Sequence, residues 1–235
     1  MRSVVITLIS SVSLAYACPP TCPEKQPWKG CATLPTWMTT GKTKRIVGGQ
    51  DAPTPIPWQV SLRKGRWGES NWPYGEEGHF CGGTILDATT ILSAAHCFEN
   101  GKRQGPGYYA LAGTKTYYFS EQTIEIEKVI LNDEYTGSNG HKYDFAIVKL
   151  TCPLIFNDKV QPACLPDASF APDLTGQTCF ISGWGSYKFG PYIFPRVLQW
   201  ADVPLVTNDV CGATNDQICA DAYVVGVLHI WHNTF

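Results

Sequence analysis

The sequence predicts an all-β protein of short strands joined by many turns. Two runs have strand character: His79-Phe80-Cys81-Gly82-Gly83-Thr84-Ile85-Leu86, and Lys142 to Leu150, where apolar and polar residues alternate as in a half-buried strand. Twenty-two glycines, 17 prolines and an aromatic share of 12% suit compact strands with frequent turns. Ten cysteines point to an oxidising compartment and a disulfide framework. With 235 residues and a hydrophobic share of 44%, one or two domains with a sizeable core are expected. A net charge of -2 without a basic block argues against nucleic acid or an anionic membrane as a partner.

The chain opens with Met1-Arg2, a mostly apolar run from Val4 to Leu14, and the small-x-small triplet Ala15-Tyr16-Ala17. That order reads as a secretory signal over residues 1–17. The apolar run is far shorter than the roughly 20 residues a bilayer-spanning helix needs, so a secreted or vesicular, extracellular location is expected. From Cys18 to Arg45 the chain is rich in proline and cysteine, without periodicity, and ends in Lys42-Thr43-Lys44-Arg45. It reads as a tethered extension rather than a domain. Ile46-Val47-Gly48-Gly49 follows at once. A basic residue in an exposed loop is a proteolysis site, although by residue type alone the stretch reads as a solvated linker.

Leu92-Ser93-Ala94-Ala95-His96-Cys97 places a single histidine among small residues, close after the first strand-like run. A histidine acting as a general base must be held in one tautomer near solvent. Asp144 stands near the start of the alternating strand. A carboxylate there is costly to bury without a partner, and a histidine is the partner this chain offers; taken singly, an edge aspartate facing water is the ordinary alternative.

With these residues placed, the chain closely resembles the trypsin/chymotrypsin-like serine protease family. The matching residues run in family order from Arg45-Ile46-Val47-Gly48-Gly49 through Pro57-Trp58-Gln59-Val60-Ser61-Leu62, His79-Phe80-Cys81-Gly82-Gly83 and Ser93-Ala94-Ala95-His96-Cys97. They continue with Asp144-Phe145-Ala146-Ile147, Gln161-Pro162-Ala163-Cys164-Leu165-Pro166, Ser182-Gly183-Trp184-Gly185 and Ile218-Cys219-Ala220. The resemblance implies two antiparallel β-barrels of chymotrypsin type, the second incomplete here. The first would cover about 46–160 and the second about 161–235, with 18–45 as propeptide. His96 would be the general base and Asp144 its orienting carboxylate. Arg45–Ile46 would be the activation bond of a zymogen, cut by an activating protease. Cys81 would pair with Cys97 and Cys211 with Cys219, while Cys164 would tether the propeptide through Cys18, Cys22 or Cys31. Protein or peptide substrates and protease inhibitors would be the partners of a monomeric, membrane-free protein. No cofactor and no metal are implied.

The pattern then breaks. The family's nucleophile lies in a Gly-Asp-Ser-Gly-Gly motif shortly beyond the segment matching Ile218-Cys219-Ala220, and that motif occurs nowhere in these residues. Its loss removes the hydroxyl, both oxyanion donors, the aspartate that would receive the new amino terminus, and the family partner of Cys179. Ser138 and Ser186 read as turn residues without oxyanion donors nearby. The stretch Tyr223 to Trp231 resembles the family strand after the nucleophile loop, which implies an internal loss; a replacement tail over Asp221 to Phe235 is the slightly favoured alternative. The chain as written is expected not to cleave peptides. A non-catalytic secreted decoy or a non-functional truncated isoform are the other readings.

The insertion from Arg63 to Gly78, with Trp67, Trp72 and Tyr74, reads as a surface loop, with a partner-binding exosite as the alternative. His141, His229 and His232 read as surface or packing residues. Glu121, Glu125 and Glu127 lack the loop length and paired acid of a calcium site. The partners of Cys152 and Cys179 are left open.

Overall fold

The computed structural model describes residues 30–32, 34–40, 50–65, 78–99, 103–116, 119–137, 142–165, 176–185 and 194–207. Nine strands lie within them: β1 (Gln50–Asp51), β2 (Gln59–Lys64), β3 (His79–Asp87), β4 (Thr90–Ser93), β5 (Tyr108–Ala112), β6 (Gln122–Leu131), β7 (Ala146–Leu150), β8 (Thr178–Gly183) and β9 (Gln199–Pro204). One short helix, α1 (Thr36–Thr40), and a 3-10 turn over Ala95–Phe98 complete the description.

Strands β2 to β7 close into an antiparallel barrel in the order β2-β3-β4-β7-β6-β5. Closure leaves that sheet without an unpaired edge. The alternation read from the sequence survives in β7, whose Ala146, Val148 and Leu150 are buried while Ile147 and Lys149 are half-buried. The barrel interior is filled by Val60, Leu62, Ile85, Ile91, Ala110, Ala112, Ile126 and Val148, all inaccessible to solvent. Close packing requires small residues where strands approach. A Cβ built on Gly83 would lie 2.6 Å from Ile91 Cγ2, so this strand position tolerates only glycine without rearrangement.

The second sheet has the order β1-β9-β8. Its core gathers Met38, Ala52, Ile56, Trp184, Leu198 and Trp200, with Trp37, Trp58 and Phe180 packed against it. Two boundaries differ from the sequence-based expectation. Gln50 and Asp51, counted with the first barrel, pair with Trp200 and Gln199 of the second sheet. Arg63, expected at the start of a surface loop, is a fully buried residue of β2; residues 66–77, with Trp67, Trp72 and Tyr74, fall outside the described residues. The fold is all-β and of chymotrypsin type, a closed barrel joined to a second antiparallel sheet.

The N-terminal lead is part of this packing. Met38 is 3% exposed, Trp37 meets Trp200 edge-to-face at 5.0 Å, and the Trp37 indole donates to Thr54 Oγ1 at 3.0 Å. A disulfide joins Cys31 to Cys164 across a separation of 133 residues. Of the three cysteines that could tether Cys164, Cys31 is the one bonded.

Candidate active site

Register brings the two chemically important side chains together. Strands β4 and β7 are neighbours in the barrel, with Ser93 opposite Ala146. His96 lies just past the end of β4 and Asp144 just before the start of β7, so an antiparallel ladder delivers them to the same rim. The alternation predicts a strand from Lys142, whereas the ladder begins only at Ala146. Tyr143 adopts a left-handed φ of 54°, and the Phe145 N–H donates to the Tyr143 carbonyl at 2.8 Å. This tight turn aims Asp144 across the rim instead of along the sheet.

The Asp144 carboxylate grips His96 at two points. Oδ1 accepts the His96 backbone N–H at 2.8 Å, and Oδ2 lies 2.7 Å from Nδ1. The second contact requires a proton on Nδ1, which leaves Nε2 with its lone pair in the neutral ring. The two side chains are 15% and 5% exposed respectively. Desolvation strengthens such a pair relative to the same contact in water.

The backbone below the imidazole is held from several directions. Cys97 is bonded to Cys81 of β3, with Cα atoms 6.3 Å apart. Ser93 Oγ donates to the Gly82 carbonyl at 2.8 Å. The Arg103 guanidinium donates to the Cys97 carbonyl at 2.8 Å and lies 4.7 Å from the centre of the Phe80 ring. Ala94 and Ala95, at 1% and 0% exposed, leave no room for larger side chains before the histidine.

Further contacts beside this site carry no motif of their own in the sequence. Tyr135 donates its hydroxyl to Glu99 Oε1 at 2.6 Å, linking the turn before Asp144 to the residue after the 3-10 turn. Burial, then that hydrogen bond, then the charges of Asp144 and Glu99 push the phenol above its ordinary pKa. His79 shares a hydrogen bond with Ser61 Oγ at 2.8 Å and stands edge-to-face on Trp184 at 5.7 Å. Burial, with the Arg63 charge as a second cause, lowers its pKa to about 3. A tyrosine, a glutamate or a histidine within a strand has no spacing that announces such pairings; they depend on which loops the barrel brings together.

Cys152 is disulfide-bonded, while Cys179 is a free, half-buried thiol whose pKa burial raises. Arg45, Ile46, Cys211, Cys219, Ser138, Ser186, His141, His229 and His232 lie outside the described residues. Glu121 is engaged by Lys159, whose Nζ lies 2.5 Å away.

A closed barrel, a second sheet and an aspartate-oriented histidine on the barrel rim define a protein of the trypsin-like serine protease class. The chain belongs to this family: the family model "Trypsin" matches residues 46–227. Among curated relatives, the rat (Rattus norvegicus) protein named transmembrane protease serine 9 is 37% identical over 202 residues, covering 81% of this chain and 17% of the relative. The mouse (Mus musculus) transmembrane protease serine 11G is 33% identical over 173 residues, 73% of this chain and 37% of the relative. Its rat counterpart is 32% identical over 180 residues, covering 76% and 39%. The chain thus spans well under half the length of each. All three are named transmembrane proteases, so the expectation of a membrane-free protein draws no support from them. Among the described residues no helix is long and apolar enough to cross a membrane.

Proposed function

We propose that this chain is a zymogen-type member of the trypsin-like serine protease family that builds the proton-accepting half of the catalytic machinery but does not cleave peptides as written. The observation that carries the reading is the two-point grip of Asp144 on His96, through the backbone N–H at 2.8 Å and Nδ1 at 2.7 Å. In a complete relative, His96 Nε2 takes the proton of a serine hydroxyl as it attacks the scissile carbonyl. Asp144 stabilises the imidazolium, and backbone donors hold the tetrahedral oxyanion. Within these 235 residues the Gly-Asp-Ser-Gly-Gly segment that would supply hydroxyl and donors is missing. Removing one triad member costs orders of magnitude in rate, and the residual rate depends on the oxyanion hole, which is lost with it.

Other assignments follow the family. Residues 18–45 form a propeptide, Arg45–Ile46 is the activation bond, and Cys211 pairs with Cys219. The protease domain is extracellular, secreted through the signal at 1–17, and its partners are protein substrates or inhibitors. That the family match extends to residue 227 favours an internal loss before Tyr223 over an unrelated tail. A decoy that binds such partners without cutting them is the second reading, favoured by the closure of the barrel without a nucleophile. It requires secretion as a soluble species that melts cooperatively.

The experiment is paired. Limited trypsin treatment should expose a new N-terminus at Ile46, read by mass-spectrometric sequencing. A fluorophosphonate probe should nonetheless leave the product unlabelled. Covalent labelling would overturn the inactive reading, and failure to cut at Arg45 would remove the zymogen assignment.

A further inference from the structure

The Cys81–Cys97 disulfide touches the histidine. Cys97 Sγ lies 3.4 Å from His96 Nε2, and the sulfurs of Cys81 and Cys97 and a ring nitrogen of His96 all fall within 4.8 Å of one another. These are the donor types that Zn2+ favours, with two of them spent on a bond to each other. We propose that opening this disulfide with a dithiol converts Cys81, Cys97 and His96 into a Zn2+ site, with Cys81 Sγ, Cys97 Sγ and His96 Nε2 as ligands and solvent in the fourth position. The inference goes beyond peptide hydrolysis and holds whether or not a nucleophile is present.

The geometry is close to what the ion needs. Tetrahedral Zn2+ with Zn–S of about 2.3 Å and Zn–N of about 2.0–2.1 Å separates sulfur from nitrogen by about 3.6 Å and sulfur from sulfur by about 3.8 Å. The existing sulfur–nitrogen distance of 3.4 Å needs almost no change. The sulfurs must part by side-chain rotation, from Cα atoms that stand 6.3 Å apart. β3 and β4 stay paired through Thr84–Leu92 and Ile85–Ile91 meanwhile.

The imidazole is already prepared. Asp144 Oδ2 holds Nδ1 at 2.7 Å, so the lone pair sits on Nε2, the ring nitrogen 3.4 Å from Cys97 Sγ. A carboxylate behind a histidine is the outer-shell partner that metal-binding imidazoles usually have, fixing tautomer and ring orientation. Two thiolates match the charge of a divalent ion in a site that is mostly desolvated. The 15% exposure of the His96 side chain leaves one side open for a water ligand.

The chemistry balances. The dithiol gives up two electrons and two protons and becomes a cyclic disulfide, while the Cys81–Cys97 bond breaks to two thiols. Zn2+ then displaces both thiol protons to solvent, forming two Zn–S bonds. Binding the reduced form alone pulls the redox equilibrium toward it. The Cys31–Cys164 disulfide belongs to no such cluster among the described residues and serves as an internal control.

The full chain is equilibrated across a graded dithiothreitol redox series, once with buffered free Zn2+ and once with a chelator. Alkylation and peptide-resolved mass spectrometry then give the reduced fraction of each pair. Zinc should move half-reduction of Cys81–Cys97 at least tenfold toward oxidising conditions and leave Cys31–Cys164 in place. His96→Ala should abolish the shift, and Asp144→Asn should weaken zinc affinity by about 10- to 100-fold. Co2+ offers a second readout that does not depend on the His96 variant folding: a thiolate-to-metal charge-transfer band in the reduced chain, lost in Cys97→Ser. Equal midpoints with zinc and chelator, a shift that survives His96→Ala, or both disulfides moving together through capture by unfolded thiols would each overturn the site. None of these readouts is peptidase activity, so its failure is distinct from failure of the zymogen reading.

Discussion

Asp144 is the residue on which the rim depends, because a single carboxylate satisfies both a backbone and a ring donor of His96. Its amide analogue keeps the shape and loses the charge that strengthens both bonds. Asp144→Asn should therefore cost about 1–3 kcal/mol of stability, the range for disturbing a buried charge-assisted hydrogen-bond pair, measured by urea denaturation. A loss below a few tenths would mean that the grip contributes little. His79 sets an acid limit on the fold. Its ring is held neutral by burial and by the Arg63 charge, with a folded pKa of about 3 against an ordinary value of 6.5. The unfolded chain binds this proton first, so stability is fully present above about pH 6.5 and falls as pH drops toward 3. The slope from this one group approaches about 1.4 kcal/mol per pH unit. His79→Asn should flatten it in denaturation curves taken between those limits.

At the scale of elements, the barrel's tolerance is narrowest where β3 crosses β4. A methyl group on Gly83 would sit 2.6 Å from Ile91 Cγ2 and 3.3 Å from the Leu92 carbonyl. The Ile91 side chain is fully buried. Gly83→Ala should destabilise by about 1–3 kcal/mol, the usual cost of overpacking a filled core, and a neutral urea midpoint would show that the strands can spread. Helix α1 tests the other sheet. Five residues are too few to form a helix by propensity alone, so α1 exists because Met38 and Trp37 enter the second core. Met38→Ala should cost about 2–5 kcal/mol, far more than expected of an appendage.

For the molecule as a whole, the Cys31–Cys164 bond and the buried Met38 make the lead a structural component. After cleavage at Arg45, the segment bearing Cys31 should stay with the protease domain on a non-reducing gel. It should separate only after reduction, and release without reductant would contradict the tether. The closed barrel also explains why the fold was readable from so little. Alternation in β7 and the strand-like run of β3 record faces that must be buried or solvated whatever their neighbours are. His96 and Asp144 are likewise polar groups set beside apolar strands, but local pattern leaves Asp144 readable as an edge aspartate, and it is the family resemblance that couples the two.

Residue order alone determined the strand-like runs, the placing of His96 and Asp144 beside them, and the absence of a Gly-Asp-Ser-Gly-Gly motif within these 235 residues. Those are properties of local pattern and of which side chains exist. Only tertiary structure decided that Cys31 is the tether, that β1 belongs to the second sheet and that Arg63 is buried. Each joins residues far apart in sequence or fixes a direction in space. Ladder register and core packing set those distances, and no window of neighbouring residues contains them.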